Sequence, residues 1–307
     1  MANKKDQVIF IVGPTAVGKS AVAIELAKKI NAEIISCDSM QVYKGMEIIS
    51  SQPAPGSRKG VKHHLTGIAA PAKEYNVSAY RRNAIKKIKE IINRGKVPLF
   101  VGGTGLYISV VIDGIFNVKA QDPALRQRLY AQAKSYGSKF LHNRLLKVDP
   151  EAAQKIHPND TRRIVRALEV FKVTGKPISM LQKQRRGITG KYDVRVFCLN
   201  TQRPRLYKMI GARTDKMFKQ GLVKEAKRLL SGRLGKTAAA AIGIRELKGY
   251  FDGAYGLDEA RRQIIRNTCL YSKRQLTWFR KDKRINWIET TAGVRPAKTA
   301  REIIGMM

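Results

Sequence analysis

The sequence predicts an α/β protein in which a parallel-sheet core is interrupted by an inserted all-helical domain. Short apolar, β-branched segments alternate with longer amphipathic segments in the N-terminal third, as in a parallel sheet with crossover helices. From Asp122 to Leu181 the signals are helical, and a strand pattern returns afterwards. We therefore predict a core made of residues 1–114 and 196–307 and a helical insertion at 115–195.

The N-terminal third contains three predicted strands and two predicted helices. The strands are apolar without alternation, as expected where both faces of a sheet are covered. The segments are, in order, a strand at 8–12, a helix at 20–30, a strand at 32–37, a helix at 78–95 and a strand at 97–103. A polar cluster follows each strand: GPTAVGKS, DSMQVY and GGTGLY. Ligands of such sheets bind at the carboxyl ends of the strands, so we expect the three clusters to meet there.

The rest of the chain is predicted to be mainly helical. The insertion has its first helix start at Asp122, with Pro123 at the first helical position. Further helical patterns cover 138–149 and 159–175, and the strand pattern VRVFCLN at 194–200 returns the chain to the core. Basic amphipathic helices at 203–230 and 258–282 are expected to complete that core.

The chain is strongly basic, with 60 Lys and Arg against 23 Asp and Glu and a formal net charge of +37. The excess is spread along the chain, because residues 1–114 carry 17 basic and 8 acidic side chains and residues 115–195 carry 18 and 6. Charge on this scale favours a polyanionic partner such as a nucleic acid, although a solvated basic surface would have the same composition.

Cysteine usage and the N-terminal sequence indicate where in the cell the protein is expected. The cysteines Cys37, Cys198 and Cys269 fit neither a zinc site nor a disulfide framework, so reduced thiols in a cytoplasmic protein are expected. The apolar run at 8–12 is too short for a signal peptide or a membrane span. We predict a cytoplasmic protein without membrane association, and nothing in the sequence indicates an obligate protein partner.

The segment GPTAVGKS matches the phosphate-binding pattern G-x-x-x-x-G-K-[ST], between an apolar strand and a helix. Glycines let backbone N–H groups close around phosphate oxygens, and the helix N-terminus adds positive potential. Lys19 offers a cation to a terminal phosphate, and Ser20 offers a hydroxyl to Mg²⁺. The sequence thus predicts a P-loop core whose phosphate-binding residues are Gly13, Pro14, Thr15, Ala16, Val17, Gly18, Lys19 and Ser20.

A P-loop alone does not identify the reaction. Enzymes that transfer nucleotide phosphates usually hold magnesium with an acid at the end of a second core strand. Here the strand at 97–103 ends in glycines before Thr104, and Asp38 is the only acid at a predicted strand end. This favours an enzyme that binds a diphosphate and uses the carboxylate on its acceptor. A small-molecule kinase that turns over ATP is an alternative.

Five motifs in order give the chain a more specific resemblance: GPTAVGKS, DSMQVYKGM, GGTGLY, NDTRRIVRALEV and KRQLTWFR. Over nearly its whole length the chain resembles the tRNA dimethylallyltransferase family, and the absence of a C-terminal zinc finger favours the bacterial type. The resemblance implies magnesium as cofactor and transfer of a dimethylallyl group from dimethylallyl diphosphate to the N6 amine of the tRNA adenine just 3′ of the anticodon. One departure is GMEIISSQPAP at 45–55, where the family typically has a Gly-Thr-Ala-Lys-Pro run.

The resemblance also implies roles for individual residues. Asp38 would be the general base for the adenine amine, and Thr104 would contact the adenosine and the reacting groups. Arg213 would hold the diphosphate beside the P-loop. Positions expected to contact the anticodon arm of tRNA are Asp38, Ser39, Met40, Gln41 and Thr104 in the core, and Arg126, Arg162, Arg163, Ile164, Val165 and Arg166 in the insertion.

Simpler interpretations exist for these residues. Asp38 suits a turn or helix cap, Thr104 suits an N-cap, and the arginines suit a solvated helix face. Trp278 and Phe279 are interpreted as core residues rather than as stacking platforms. For the whole protein, the alternatives are an adenylate isopentenyltransferase that acts on a free nucleotide, the small-molecule kinase, and a non-catalytic RNA-binding protein.

Overall fold

The computed structural model describes residues 5–116, 122–291 and 293–307. The chain divides into two compact units, one formed by Met1–Ile112 with Ile188–Met307 and the other by Asp113–Gly187. The second boundary lies before the predicted one, and Ile188 and Thr189 already donate hydrogen bonds to the Val111 and Ile112 carbonyl oxygens of the larger unit. No helix in the described ranges is long and apolar enough to cross a membrane.

The larger unit is built on a six-stranded sheet in which neighbouring strands are parallel. The strands are β1 (Gln7–Val12), β2 (Ala32–Ser36), β3 (His63–His64), β4 (Val97–Val101), β5 (Asp193–Asn200) and β6 (Ile285–Glu289). Their order across the sheet is β3-β2-β4-β1-β5-β6. The chain runs from β1 toward one edge and later returns to the other side of β1. Ligands bind at such a reversal of strand order, beyond the carboxyl ends.

Fourteen α-helices are distributed over the described residues of the two units. In chain order they are α1 (Lys19–Lys29), α2 (Val77–Ile92), α3 (Gly105–Ile112), α4 (Pro123–Tyr136), α5 (Ser138–Val148), α6 (Pro150–Lys155), α7 (Thr161–Thr174), α8 (Ile178–Lys183), α9 (Arg203–Lys219), α10 (Leu222–Leu230), α11 (Lys236–Ala239), α12 (Ile244–Phe251), α13 (Leu257–Phe279) and α14 (Pro296–Gly305). A short 3₁₀ helix covers Pro55–Arg58.

Apolar residues of the central strands are buried on both faces of the sheet. Ile9 and Ile11 of β1 join one cluster with side chains of α1, α9 and α14. Phe10 points to the opposite face, where its ring stacks on Phe100 of β4 with centroids 4.5 Å apart. Burial on both faces explains why these strands show no alternation in sequence and why they could be predicted from apolar runs.

The smaller unit contains α4 to α8, and its described residues form no strand. Asp122, Asp149 and Asp160 cap α4, α6 and α7, each accepting a hydrogen bond from a first-turn backbone N–H. Leucine and other apolar residues on the inner faces of these helices, including Leu129, Leu141, Leu145, Ile164 and Leu168, make a separate core.

Several local predictions need correction. The segment predicted as one helix at 203–230 is α9 followed by α10, because Gly221 has a φ of +98° and ends the first helix. The edge strand β6 has Ile288 as its only buried residue, so it shows no alternating pattern. Phe279 is buried, as predicted, but Trp278 is 42% exposed and lies with its indole ring over Gly105. The interpretation of Trp278 as a core residue was therefore wrong.

Candidate active site

The three polar clusters predicted at strand ends lie around one cavity of about 570 Å³ in the larger unit. The P-loop follows β1, the Asp38 cluster follows β2, and the glycines that precede Thr104 follow β4. Of the residues predicted for the site, those lining the cavity are Thr15, Ala16, Gly18, Lys19, Ser20, Asp38, Ser39, Met40, Gln41 and Arg213.

The P-loop wraps the end of β1 in a conformation that requires glycine. Gly13 has a φ of +136°, and a Cβ there would lie 2.4 Å from the Leu199 carbonyl oxygen on β5. Val17 of the same loop is buried in the core beside α1, so its side chain anchors the loop. The Lys19 ammonium donates hydrogen bonds to the carbonyl oxygens of Gly13 at 3.0 Å and Pro14 at 2.7 Å.

Lys19 and Arg213 place positive charge beside the P-loop in the cavity. Burial lowers the pKa of Lys19 to about 8, and the Asp38 carboxylate partly opposes this shift. Arg213 on α9 donates from Nη1 to the Thr15 hydroxyl at 2.7 Å, while its buried Nε has no hydrogen-bond partner among the described residues. A guanidinium that keeps a donor unused beside a P-loop suits a bound phosphate oxygen.

Ser20, at the start of α1, is the one predicted metal ligand. It lines the cavity next to Lys19, and the described residues contain no group of three His, Cys, Asp or Glu side chains that could hold a metal ion. Magnesium keeps several waters and takes one or two protein ligands together with substrate phosphates. A single hydroxyl beside the phosphate-binding loop therefore fits a magnesium ion that arrives with a diphosphate.

Asp38 and Thr104 shape the other side of the cavity. Asp38 Oδ1 accepts the backbone N–H of Met40 at 2.9 Å, and Oδ2 accepts no hydrogen bond from any described residue. The Thr104 hydroxyl accepts the backbone N–H of Ser39 at 3.0 Å. One oxygen of Asp38 therefore stabilises the turn, as the simpler interpretation expected, while the second oxygen can accept a proton. Thr104 does not line the cavity, but it contacts Ser39 and Tyr271, which do.

Three side chains of α13 belong to this region and were not assigned from the sequence. Tyr271 and Arg274 line the cavity, and Gln275 lies behind it, between the P-loop and the end of β4. Burial raises the pKa of Tyr271 to about 12. Arg274 and Gln275 lie in the motif KRQLTWFR, which does not indicate which of its residues face the site, and Tyr271 precedes that motif.

In the smaller unit the predicted tRNA-contacting positions separate into three groups. Arg162 and Arg163 are exposed, and Arg163 pairs with Asp160 at 3.2 Å. Ile164 and Val165 are 0% and 1% exposed in the core of this unit, so the prediction that they contact RNA is wrong for their side chains. The helical period places them on the inner face of α7.

Arg126 and Arg166 share one buried carboxylate. Glu169 Oε2 accepts from Arg126 Nη2 at 2.9 Å and from Arg166 Nη1 at 2.8 Å, and Glu169 is fully buried. Burial raises the pKa of Glu169, but the two arginines outweigh this effect and lower it overall. The ionised glutamate holds the two guanidinium groups next to each other, which leaves the trio with a net positive charge.

Comparison with known proteins identifies the family. A family model described as IPP transferase matches residues 41–282. A tRNA dimethylallyltransferase of Carboxydothermus hydrogenoformans is 50% identical over 287 residues, which cover 93% of this chain and 92% of that protein. The chain belongs to the IPP transferase family.

Solved structures of IPP transferases agree with the fold. A tRNA isopentenylpyrophosphate transferase from Bacillus halodurans gives a TM-score of 0.72 at 39% identity and covers 98% of this chain and 96% of that one. A eukaryotic dimethylallyltransferase acting on tRNA gives a TM-score of 0.83 at 29% identity, over 97% of this chain and 77% of that one. The predicted α/β class with a P-loop core is confirmed.

The segment at 45–55 forms part of the cavity wall through Ile49, Ser50, Ser51 and Pro53. Gln52 of the same segment donates from Nε2 to the carbonyl oxygens of Gln41 and Tyr43 at 3.1 Å each. The buried Glu225 carboxylate of α10 accepts the backbone N–H groups of Ile48 and Ile49. The segment is therefore held by its own glutamine and by Glu225.

Proposed function

We propose that this IPP transferase moves a dimethylallyl group from dimethylallyl diphosphate to the N6 amine of the adenine just 3′ of the anticodon in tRNA. The observation that carries the proposal is one cavity that brings Lys19 and Arg213 together with the Asp38 carboxylate, one oxygen of which accepts no hydrogen bond from any described residue. The names of the relatives, tRNA dimethylallyltransferase and tRNA isopentenylpyrophosphate transferase, support the same reaction.

The P-loop side of the cavity would bind the donor. An allylic C–O bond breaks readily when the charge of the departing diphosphate is neutralised. Lys19, the Arg213 guanidinium and the P-loop amides would provide that charge and those hydrogen bonds. Magnesium, bound by Ser20 and the diphosphate oxygens, would neutralise further negative charge on the leaving group.

The Asp38 side would receive the acceptor. The amine nitrogen forms a bond to the allylic carbon as the C–O bond to diphosphate breaks, and its proton passes to the Asp38 carboxylate. A positioned base of this kind contributes about 10²–10⁴-fold to the rate. The adenine must leave the base stack to reach a cavity in the protein. Thr104 would hold Ser39, and with it the Asp38 turn, in place.

The smaller unit would bind the anticodon arm. We propose phosphate contacts for the exposed Arg162 and Arg163 and for the pair Arg126 and Arg166 held by Glu169. The net charge of +37 supports a polyanionic substrate. We also propose that the enzyme acts in the cytoplasm, as the tRNA-related names of its relatives suggest.

Two alternative functions are disfavoured. A kinase would be expected to hold its magnesium with a further acid, and β4 is followed by Gly102 and Gly103. An adenylate isopentenyltransferase acts on a free nucleotide and has no need for a basic unit of this kind. The family and the names of the relatives favour a tRNA substrate over both.

The deciding experiment is nucleoside mass spectrometry. Unmodified tRNA is incubated with the protein, dimethylallyl diphosphate and Mg²⁺. The tRNA is then digested to nucleosides, which are separated and identified by their masses. We expect dimethylallyl-adenosine from the position 3′ of the anticodon. Prenylated AMP formed from free nucleotide, with unmodified tRNA, would instead identify an adenylate isopentenyltransferase. ATP turnover without prenyl transfer would identify a kinase.

A further inference from the structure

Helix α13 places a buried amide between the two sides of the cavity. Gln275 is 5% exposed. Its Oε1 accepts the backbone N–H of Thr15 in the P-loop at 2.8 Å, and its Nε2 donates to the Gly103 carbonyl oxygen beyond β4 at 2.9 Å. One side chain thus bridges two loops that are far from it in sequence, by 260 and 172 positions.

Each end of this bridge is bonded directly to a group of the site. Thr15, whose N–H meets Gln275, also accepts a hydrogen bond on its hydroxyl from Arg213 Nη1. Gly103 is followed by Thr104, whose hydroxyl accepts the N–H of Ser39 next to Asp38. A continuous set of hydrogen bonds and peptide links therefore joins the diphosphate-binding arginine to the carboxylate turn, and Gln275 is its centre.

The fit of Gln275 is tight on the β4 side. A Cβ on Gly103 would lie 2.1 Å from Gln275 Nε2 and 3.1 Å from the Gly13 carbonyl oxygen. Only a glycine allows the amide to approach so closely, which gives a physical reason for the second glycine of GGTGLY. Gln275 also takes up the Thr15 N–H, a P-loop amide of the kind that otherwise faces a phosphate.

We propose that Gln275 is a positioning residue that holds the donor side and the acceptor side of the cavity in register for prenyl transfer. The inference rests on the function proposed above. Gln275 lies behind the cavity wall and not among the residues that line it, so it acts through Thr15, through Gly103 and through the cavity-lining Tyr271, with which it also interacts. A displacement of about 1 Å between reacting groups costs a rate of about 10²-fold. Loss of the bridge should lower the rate of transfer more than the affinity for either substrate.

Two substitutions separate positioning from stability. Gln275→Leu keeps most of the side-chain volume and removes both hydrogen bonds. Gln275→Glu keeps the acceptor for the Thr15 N–H but places an unprotonated oxygen against the Gly103 carbonyl. The matched control is Ser272→Ala on the same helix, where a buried hydroxyl is lost whose hydrogen bond among the described residues goes to the Cys269 carbonyl of its own helix. Its transfer rate should equal that of the wild type.

The measurements are the single-turnover rate with saturating dimethylallyl diphosphate and tRNA, the Kd values for inorganic pyrophosphate and tRNA, and the melting temperature. We expect Gln275→Leu to lower the rate by about 10²-fold and each Kd to change less than about threefold. The rate of Gln275→Glu, divided by the wild-type rate, should rise as the pH falls. Protonation restores a donor toward Gly103, and burial makes that protonation easier.

The outcomes distinguish the two proposals. If the wild type forms no prenylated adenosine, the proposed function itself is overturned. If the wild type is active and Gln275→Leu keeps its rate, or loses rate only in proportion to substrate affinity, the positioning role is overturned. Should Gln275→Leu fail to fold, Gln275→Glu decides: a rate ratio that is low at high pH and recovers at low pH supports the role, and one that does not change with pH contradicts it.

Discussion

Replacing Asp38 by asparagine should separate its two roles, as a base and as the centre of a turn. The Oδ1 atom accepts the Met40 N–H at 2.9 Å, and an asparagine carbonyl can accept the same hydrogen bond. The side chain keeps its shape, so the turn after β2 should remain. Only the ability to take up a proton is lost. Asp38→Ala removes both the hydrogen bond to Met40 and the proton acceptor. The difference in transfer rate between the two variants therefore measures the contribution of the turn.

The size of the effect follows from the chemistry and from the charges around Asp38. Loss of a general base lowers the chemical step by about 10²–10⁴-fold, or roughly 3–5 kcal/mol. The negative charge of Asp38 raises the pKa of Lys19, but it also repels a diphosphate in the same cavity. Removing that charge also lowers the pKa of Lys19 below its wild-type value of about 8, so the comparison must be made well below that pH. There the affinity for pyrophosphate should be unchanged or stronger, and the transfer rate should fall without a matching loss of donor affinity.

The assay is single-turnover transfer to tRNA, with pyrophosphate binding measured separately by calorimetry. Asp38→Asn should lose about 10²–10⁴-fold in rate while pyrophosphate binds at least as tightly as in the wild type. Asp38→Ala should be no faster than Asp38→Asn. A full single-turnover rate for Asp38→Asn would refute the base assignment. A loss of pyrophosphate affinity as large as the loss of rate would refute the division of the cavity.

Three further predictions concern the donor site and the tRNA-binding surface. Because burial lowers the pKa of Lys19 to about 8, affinity for pyrophosphate without metal should be highest below that pH and fall as the ammonium loses its proton. A titration of pyrophosphate binding from about pH 7 to about pH 9 should show this fall in affinity, and Lys19→Ala should abolish it. An equal fall in the variant would show that a group other than Lys19 causes the pH dependence. Ser20→Ala should raise the magnesium concentration for half-maximal transfer, and an unchanged requirement would exclude Ser20 as the ligand. Arg162→Ala should lower the salt slope of tRNA binding by about one, and Arg166→Ala by less, because Glu169 already holds Arg166. Filter binding at several salt concentrations tests whether Arg162→Ala lowers the slope more than Arg166→Ala. Equal slopes for both variants and the wild type would show that these arginines belong to a solvated helix face and do not contact tRNA.

Much of the fold could be predicted because its signals are local. Strands buried on both faces read as apolar runs, and helix starts read as Asp or Pro at the right position. The edge strand β6 was missed for the opposite reason, since only Ile288 of its residues is buried. The smaller compact unit ends at Gly187, whereas the insertion was predicted to extend to residue 195, and the hydrogen bonds of Ile188 to Val111 and Ile112 depend on a segment that is distant in sequence.

By itself, the sequence determined the P-loop, the Asp38 turn and their place at strand ends, because glycine conformation and side-chain to backbone hydrogen bonds act between neighbouring residues. Only the tertiary structure decided which distant groups meet them. Arg213 reaches Thr15 across 198 positions and Gln275 does so across 260. Such contacts depend on how α9 and α13 pack against the sheet, and no local pattern encodes that packing.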